Sequence, residues 1–316
     1  MTSYSIVVPT IGRESLRTLL DSLERNGGLN AERIVLVDDR ANAAAPLNLD
    51  GIQSRLRDRI EVVRSGGRGP AAARNVGWRA TQSQWVCFLD DDVVVSETWA
   101  DDCKKDLSLA EDRVGGVQGR ITVPSDPQRP RSDWERNVGA LARSAWITAD
   151  MAYRRTALEA AGGFDERFTR AYREDSDLAI RIQTAGYVLA YGARSSLHPV
   201  RPADRWISVR LQRGNADDVL MRALHGPNWR DLAQSPPGRF RLHAATVLAA
   251  GIAVAGSLAW AALTADFAWR RIAPGPKTRD EIVTMVTTSA AIPFAAVYHR
   301  LSGYARVRAM LRKKAA

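Results

Sequence analysis

The sequence predicts an α/β protein: a mostly parallel, Rossmann-like sheet flanked by helices, followed by an α-helical C-terminal extension. Three observations lead there. Short β-branched apolar runs alternate with helical faces in the first third of the chain. A polar cluster closes each run. Past Pro236-Pro237-Gly238 the chain turns Ala-rich and basic. Strands that alternate with helices need right-handed crossovers, and so parallel neighbours.

Ser3–Val8 is the first run, ended by Pro9. Leu16, Leu19, Leu20 and Leu23 mark one helical face, stopped by Gly27-Gly28. Arg33–Val37 runs into Asp38-Asp39, and Ile60–Val63 into Gly66-Gly67-Arg68-Gly69-Pro70. An Ala-rich helix over about Ala71–Ala80 follows, then a strand Trp85–Leu89 closed by Asp90-Asp91-Asp92. Beyond residue 110, Val117–Val123, Ala149–Tyr153 and Tyr187–Tyr191 read as strands. Thr156–Ala161 reads as a short helix stopped by Gly162-Gly163. A helix opens at Glu174-Asp175 with Leu178, Ile182 and Ala185 inward, and Gly186 caps it. His198 falls in a loop, and Arg205–Leu224 is expected to be helical. The boundary at Pro236-Pro237-Gly238 separates residues 1–230 from a helical region, 239–316. The first part changes character near residue 110.

The chain has 316 residues, 45% of them apolar and 25% charged, enough to bury a core and too ordered in pattern for a disordered chain. Its two cysteines, Cys87 and Cys103, form no CxxC, which argues against a thiolate zinc site and for a reducing, cytoplasmic compartment. No basic patch followed by an apolar run opens the chain, so no secretory signal is expected. Net charge is +10. Residues 201–316 hold 18 Lys/Arg against 7 Asp/Glu, +11, which leaves −1 for residues 1–200.

Parallel sheets bind ligands beyond the carboxyl ends of their strands, where these polar clusters fall. Three adjacent carboxylates, Asp90-Asp91-Asp92, repel one another unless solvated or shared with a cation. Hard oxygen ligands of this kind suit Mg²⁺ or Mn²⁺, often together with a substrate's phosphates. The glycine loop before a helix offers backbone N–H groups to an anion, and Arg74 one turn later offers a phosphate fork. Gly67-x-Gly69-x-x-Ala72, with Asp90 about 20 residues on, also fits a dinucleotide fingerprint and so a NAD-type oxidoreductase. That fingerprint belongs to a first βα turn, whereas two strands precede it here. Glu174 and Asp175 open a helix, where carboxylates are stabilised by the dipole. Capping accounts for one or two of the acidic groups in Glu174-Asp175-Ser176-Asp177.

At these residues the sequence resembles the family 2 glycosyltransferases, which have the GT-A fold and invert at the sugar carbon. The resemblance lies in Val7-Val8-Pro9-Thr10, Val35-Leu36-Val37-Asp38-Asp39, Ala73-Arg74-Asn75-Val76-Gly77 and Phe88-Leu89-Asp90-Asp91-Asp92. Further on, Gly162-Gly163-Phe164-Asp165-Glu166-Arg167-Phe168 precedes Glu174-Asp175-Ser176-Asp177-Leu178-Ala179-Ile180-Arg181 and Gly186-Tyr187. It covers roughly residues 3–215. It implies a nucleotide-binding half, about 1–110, and an acceptor half, about 111–230. Pro9, Thr10, Asp38 and Asp39 would hold base and ribose, and Arg74 would lie near the base or diphosphate. Asp90-Asp91-Asp92 stands at the DxD motif. There Asp92 would bind Mn²⁺ or Mg²⁺, with Asp90 or Asp91 on the ribose or metal waters. Asp175, beside Glu174, matches the general base. His198 stands where some members place another metal ligand; the competing reading is a packed or capping histidine beside Pro199. The resemblance implies a nucleoside-diphosphate sugar as donor. A non-catalytic nucleotide-sugar-binding module remains an alternative, although Asp92 and Asp175 are both present.

The basic last third fits a lipid-linked or cell-envelope acceptor at the inner face of the cytoplasmic membrane. Leu242–Leu263 has 22 residues without a formal charge, and Ile282–Tyr298 is a second run, interrupted by Pro293. A membrane hairpin of the two would put Arg270, Arg271, Lys277 and Arg279 outside, against the positive-inside tendency. From Tyr298 on, an apolar stripe ringed by arginines suits a helix resting on an anionic membrane, or packing on a partner subunit or on the catalytic domain with its Arg face exposed. No nucleic-acid-binding module is recognisable.

Overall fold

The computed structural model describes residues 2–25, 31–252 and 254–315 of the chain. The Gly27-Gly28 helix stop lies outside the described residues. In chain order the elements are β1 (Tyr4–Thr10), α1 (Ser15–Arg25), β2 (Ile34–Asp38), α2 (Ser54–Arg57), β3 (Ile60–Arg64), α3 (Pro70–Arg79), β4 (Trp85–Leu89) and β5 (Val94–Val95). Then follow α4 (Trp99–Ser108), β6 (Val114–Thr122), α5 (Asp133–Gly139), β7 (Asp150–Arg154), α6 (Arg155–Ala161), α7 (Glu174–Thr184) and β8 (Val188–Leu197). The remainder is helical: α8 (Ile207–Arg210), α9 (Gly214–His225), α10 (Trp229–Leu232), α11 (Phe240–Ala250), α12 (Val254–Ile272) and α13 (Arg279–Ala315). The chain packs as two compact units that interleave in sequence. Met1–Pro124 and Leu141–Pro199 form one, Ser125–Ala140 and Val200–Ala316 the other.

The first unit is built on an eight-stranded sheet of order β3-β2-β1-β4-β7-β6-β8-β5. The first four strands are parallel to one another. β7 enters antiparallel between β4 and β6, whereas β6 and β8 run parallel. The sheet is therefore mixed, parallel in the half that carries the first strand ends. Alternation along each central strand feeds two cores. Ile6, Val8, Ile34, Leu36, Cys87 and Leu89 bury on the face that takes α1 and its leucines. Val7, Val35, Val37, Val86 and Phe88 bury on the opposite face. There α3 sits close because its contact residues are small. A Cβ on Gly77 would lie 2.3 Å from Val7 Cγ1.

Several elements differ from the sequence expectation. β8 runs well past Tyr191, because Gly192–Leu197 continues to pair along β6 and β5. The expected helix Arg205–Leu224 is broken into α8, a 3₁₀ turn at Leu211–Arg213, and α9. The uncharged run Leu242–Leu263 is not one rod; α11 ends at Ala250 with Gly251 as its C-cap, and α12 starts at Val254. α4 and α5 lie outside the sequence expectation, although Trp99, Cys103 and Leu107 give α4 one buried face.

In the second unit Arg271 is buried and gathers four elements. It donates to Thr288 Oγ1 at 2.8 Å and Ser289 Oγ at 2.9 Å in α13. It also donates to Asp133 Oδ2 at 2.8 Å in α5 and Ser208 Oγ at 3.1 Å in α8. Two of the four Thr/Ser hydroxyls of Ile282–Tyr298, those of Thr288 and Ser289, thus serve a buried guanidinium. α13 meets α9 closely at Gly303, where a Cβ would lie 2.8 Å from Ala216 Cα.

Candidate active site

Parallel pairing of β1, β2 and β4 brings their carboxyl ends, Thr10, Asp38 and Asp90, to one edge of the first unit. β8 ends at Leu197, and His198 follows, its N–H bonded to Thr122 O at 2.8 Å. Asp90, Asp92 and His198 there bring one ligand atom each within 4.8 Å of the others. His198 Nε2 lies 3.6 Å from Asp92 Oδ1, beyond hydrogen-bond length. His198 Nδ1 is 3.1 Å from Pro199 O. With the proton on Nδ1, that contact leaves the Nε2 lone pair facing Asp92, the orientation of a metal-ligating histidine. Two carboxylates and an imidazole are a fitting donor set for Mn²⁺, and through their oxygens for Mg²⁺. The ring thus packs against Pro199 O through Nδ1 and turns Nε2 toward Asp92.

Asp91 points elsewhere. Its Oδ2 accepts from Thr10 Oγ1 at 2.7 Å and its Oδ1 from Arg13 Nη1 at 2.8 Å. It ties the β1 end to the β4 end and keeps Thr10 in place. Asp38 is held by Arg40, with Nε and Nη2 each 2.7 Å from a carboxylate oxygen. That pairing keeps its carboxyl below the ordinary range. Pro9, half-buried, precedes Thr10 on the same strand.

Asp39 closes the glycine loop from inside. Its oxygens accept from Ser65 Oγ at 2.6 Å, Arg68 N at 3.0 Å and Gly69 N at 2.9 Å. The N–H groups of Arg68 and Gly69 are thus given to a carboxylate of the chain itself. The glycines answer to packing. A Cβ on Gly67 would meet Ala41 Cβ at 2.7 Å, and one on Gly69 would meet Thr169 O at 2.3 Å. Gly69 also has φ 96°, a backbone that favours glycine.

Arg74 is buried in α3 and divides its fork. Nη2 donates to Asp90 Oδ1 at 2.9 Å, Nη1 to Glu174 Oε1 at 2.8 Å. Burial opposes its charge, but Asp90 and Glu174 more than restore it, and its pKa is raised. One guanidinium therefore links the Asp90–Asp92–His198 cluster to the start of α7. Arg173, at φ 78°, turns the chain into that helix. Burial and the neighbouring Asp175 push the Glu174 carboxyl up to about 8. Its Oε2 is buried with no hydrogen-bond partner among the described residues. Burial also raises Asp175, while the Ser176 N–H, at 2.6 Å, and Arg74 oppose the rise. Asp175 remains partly exposed at the helix start. The two adjacent carboxyls therefore differ in environment, Glu174 buried and protonated more readily, Asp175 partly open to solvent.

Asn75 follows Arg74 in the Ala73–Gly77 motif. It clamps the Gly162–Phe168 loop to α3, donating to Phe164 O at 2.8 Å and Glu166 Oε1 at 2.9 Å and accepting from Phe164 N at 2.9 Å. Asp150 and Arg194 belong to no motif in the sequence. Both are fully buried, 2.8 Å apart, and Asp150 also accepts from Trp99 Nε1 and Ser196 Oγ. They fix the strand that delivers His198. Only the interruption of apolar runs by charge hinted at them.

Three comparisons agree. A family model described as Glycosyl transferase family 2 matches residues 5–164. A pre-mycofactocin glycosyltransferase of Mycobacterium tuberculosis is 32% identical over 202 residues, 59% of this chain and 40% of that protein. The chain thus spans about 40% of that relative's length. A solved mannosyltransferase of Pyrobaculum calidifontis, in complex with GDP-Man and Mn²⁺, superposes with a TM-score of 0.56 at 20% identity, over 94% of this chain and 86% of that one. Staphylococcus aureus TarS 1–349, in complex with UDP-GlcNAc, gives 0.50 at 15% identity, over 95% and 92%. At these identities the two structures share the GT-A fold with this chain.

Proposed function

Because the chain belongs to glycosyl transferase family 2, we propose that it moves a sugar from a nucleoside-diphosphate sugar to an acceptor hydroxyl, with inversion at the sugar carbon. The observation that carries this reading is the meeting of Asp90, Asp92 and His198 within 4.8 Å, joined through Arg74 to the Glu174–Asp175 pair. Asp92, Asp90 and His198 would hold Mn²⁺ or Mg²⁺, which neutralises charge on a departing diphosphate. Pro9, Thr10 and Asp38 stand at the neighbouring strand ends, where base and ribose would lie. Asp39 and Asp91 stand at the same strand ends, available to base, ribose or metal waters, and also brace the glycine loop and the β1–β4 edge.

The chemistry asked of the protein is a single displacement. Asp175 accepts the proton of the acceptor hydroxyl. That oxygen bonds to the sugar carbon as the bond to the diphosphate oxygen breaks. Glu174, neutral near pH 7, spares Asp175 a second adjacent charge; Arg74 orients Glu174, and the Ser176 N–H holds Asp175. The acceptor is an alcohol, on a lipid carrier or a cell-envelope glycan. The oxidoreductase reading loses support at the glycine loop, where Asp39 takes the N–H groups a pyrophosphate would need.

Calorimetry with UDP, GDP, dTDP and NAD, in Mn²⁺ and in EDTA, tests the reading. Mn²⁺-dependent binding of one nucleoside diphosphate, lost in Asp92→Ala, is expected. Metal-independent binding of NAD alone would overturn it. Asp175→Asn should lower transfer about 10²–10⁴-fold while nucleotide binding stays.

A further inference from the structure

Most of the large apolar side chains that face solvent belong to the C-terminal helices. On α13, Val283, Val286, Phe294, Tyr298, Leu301 and Tyr304 are exposed; Tyr298 is 66% and Leu301 62% accessible. At about 100° per residue they fall within one stripe about 120° wide. Arg308 and Arg312, also exposed, continue the same stripe at its C-terminal end. From Ile282 to Ala315 the sequence has no Asp or Glu. The side chains of Lys313 and Lys314 lie outside those described.

We infer that this stripe is a docking surface for an anionic phospholipid bilayer, with the apolar residues in the headgroup–acyl boundary and Arg308 and Arg312 on lipid phosphates. Charge complementarity selects the occupant. An apolar stripe that runs into unopposed arginines matches a bilayer carrying negative headgroups better than a second copy of the same basic face. The tyrosines sit where the apolar part gives way to arginine, the place such rings take at a membrane interface.

The helix lies on the membrane rather than crossing it. By length and composition, Arg279–Arg312 could span a bilayer. Its other face, however, is committed to protein. Met285, Ile292, Ala296 and Val307 are buried, and Gly303 lets α13 press on α9. Arg306 is paired with Asp217 at 2.8 Å, and Arg300 approaches Asp218 at 3.5 Å. Crossing would strip those ion pairs from α9 or carry them into hydrocarbon, at high cost either way. The α11–α12 turn adds a further exposed apolar group, Leu248, Ile252 and Leu258. The inference does not rest on the transferase reading.

Co-sedimentation of the full chain with phosphatidylcholine–phosphatidylglycerol vesicles tests it. Binding is expected, weakened by salt and by omission of the anionic lipid. Leu301→Glu should lower partitioning about tenfold or more. Arg308→Gln and Arg312→Gln should each cost about fivefold. Unchanged thermal unfolding of these surface variants shows that the fold is kept. Absence of binding to anionic vesicles, or binding indifferent to all three substitutions, overturns the proposal. So does a wild-type dimer, seen by sedimentation equilibrium, that Leu301→Glu dissociates, because the stripe would then cover a second copy. Each result is read without reference to sugar transfer.

Discussion

Arg74 spends both terminal nitrogens on carboxylates of its own chain, Asp90 and Glu174. The sequence marks it as a cation one turn beyond a glycine loop, and a phosphate fork is what such a residue offers. Only the fold shows that α7 brings Glu174 to it across 100 residues of chain. The same convergence separates the two adjacent acids. Glu174 is buried and Asp175 only partly so; both carboxyls are raised by burial, Glu174 to about 8, while Asp175 keeps some access to solvent. In the unfolded chain Glu174 ionises near 4.5, in the native state near 8. Between those values the unfolded state has lost a proton that the native state keeps, so stability falls as pH rises. Glu174→Gln keeps an acceptor for Arg74 and removes this titration. Its Tm, measured against wild type from pH 5 to 8, should gain on wild type as pH rises. A difference that does not vary with pH would show that Glu174 is ionised throughout.

At the scale of elements, the strands and helices of the first third were legible because each is amphipathic or doubly buried in a regular way. Trp85–Leu89 and the Ala-rich helix that became α3 follow directly from period and termination. β8 was read too short because its second half carries Gly192, Ala193 and Arg194, which no periodicity marks as strand. What keeps that half in the sheet is pairing with β6 and the Arg194–Asp150 bond. Breaking one side of a buried ion pair leaves a charge without compensation. Arg194→Met should therefore cost about 3–5 kcal/mol in denaturant unfolding, and Asp150→Leu/Arg194→Met together should recover only part of it, because Trp99 Nε1, Ser196 Oγ and Asp106 lose partners too. Equal losses in single and double variants would mean that packing, not charge, holds β8. The run Leu242–Leu263 was legible as apolar, but its break at Gly251 was not. Nothing in a uniformly uncharged stretch says where a chain must turn to pack.

For the whole molecule, charge was legible in sum and misleading in detail. The +11 of residues 201–316 is real, yet Arg271, Arg300 and Arg306 are spent on Asp133, Asp218 and Asp217. The exposed remainder is what reaches a partner. If the first unit holds its nucleotide through a metal, the two ligands should stabilise the native state together. Nucleoside diphosphate at 100 times its Kd, with Mn²⁺, contributes about 2.7 kcal/mol. Tm should then rise on the order of 5 °C, and EDTA should cancel the rise. A rise that survives EDTA would detach nucleotide binding from Asp92.

The sequence by itself determined the order of strands and helices, the strand ends at which polar residues collect, and the family. These depend on local period, on turn chemistry and on motifs whose spacing is fixed along the chain. The tertiary structure alone decided that Asp91 meets Thr10 and Arg13, that Asp39 meets the glycine loop, that Arg74 joins Asp90 to Glu174, and that His198 turns Nε2 toward Asp92. Those outcomes follow from which side chains meet across β1, β4, α7 and β8. Such meetings are set by packing between segments distant in sequence, where a residue's type does not reveal its partner.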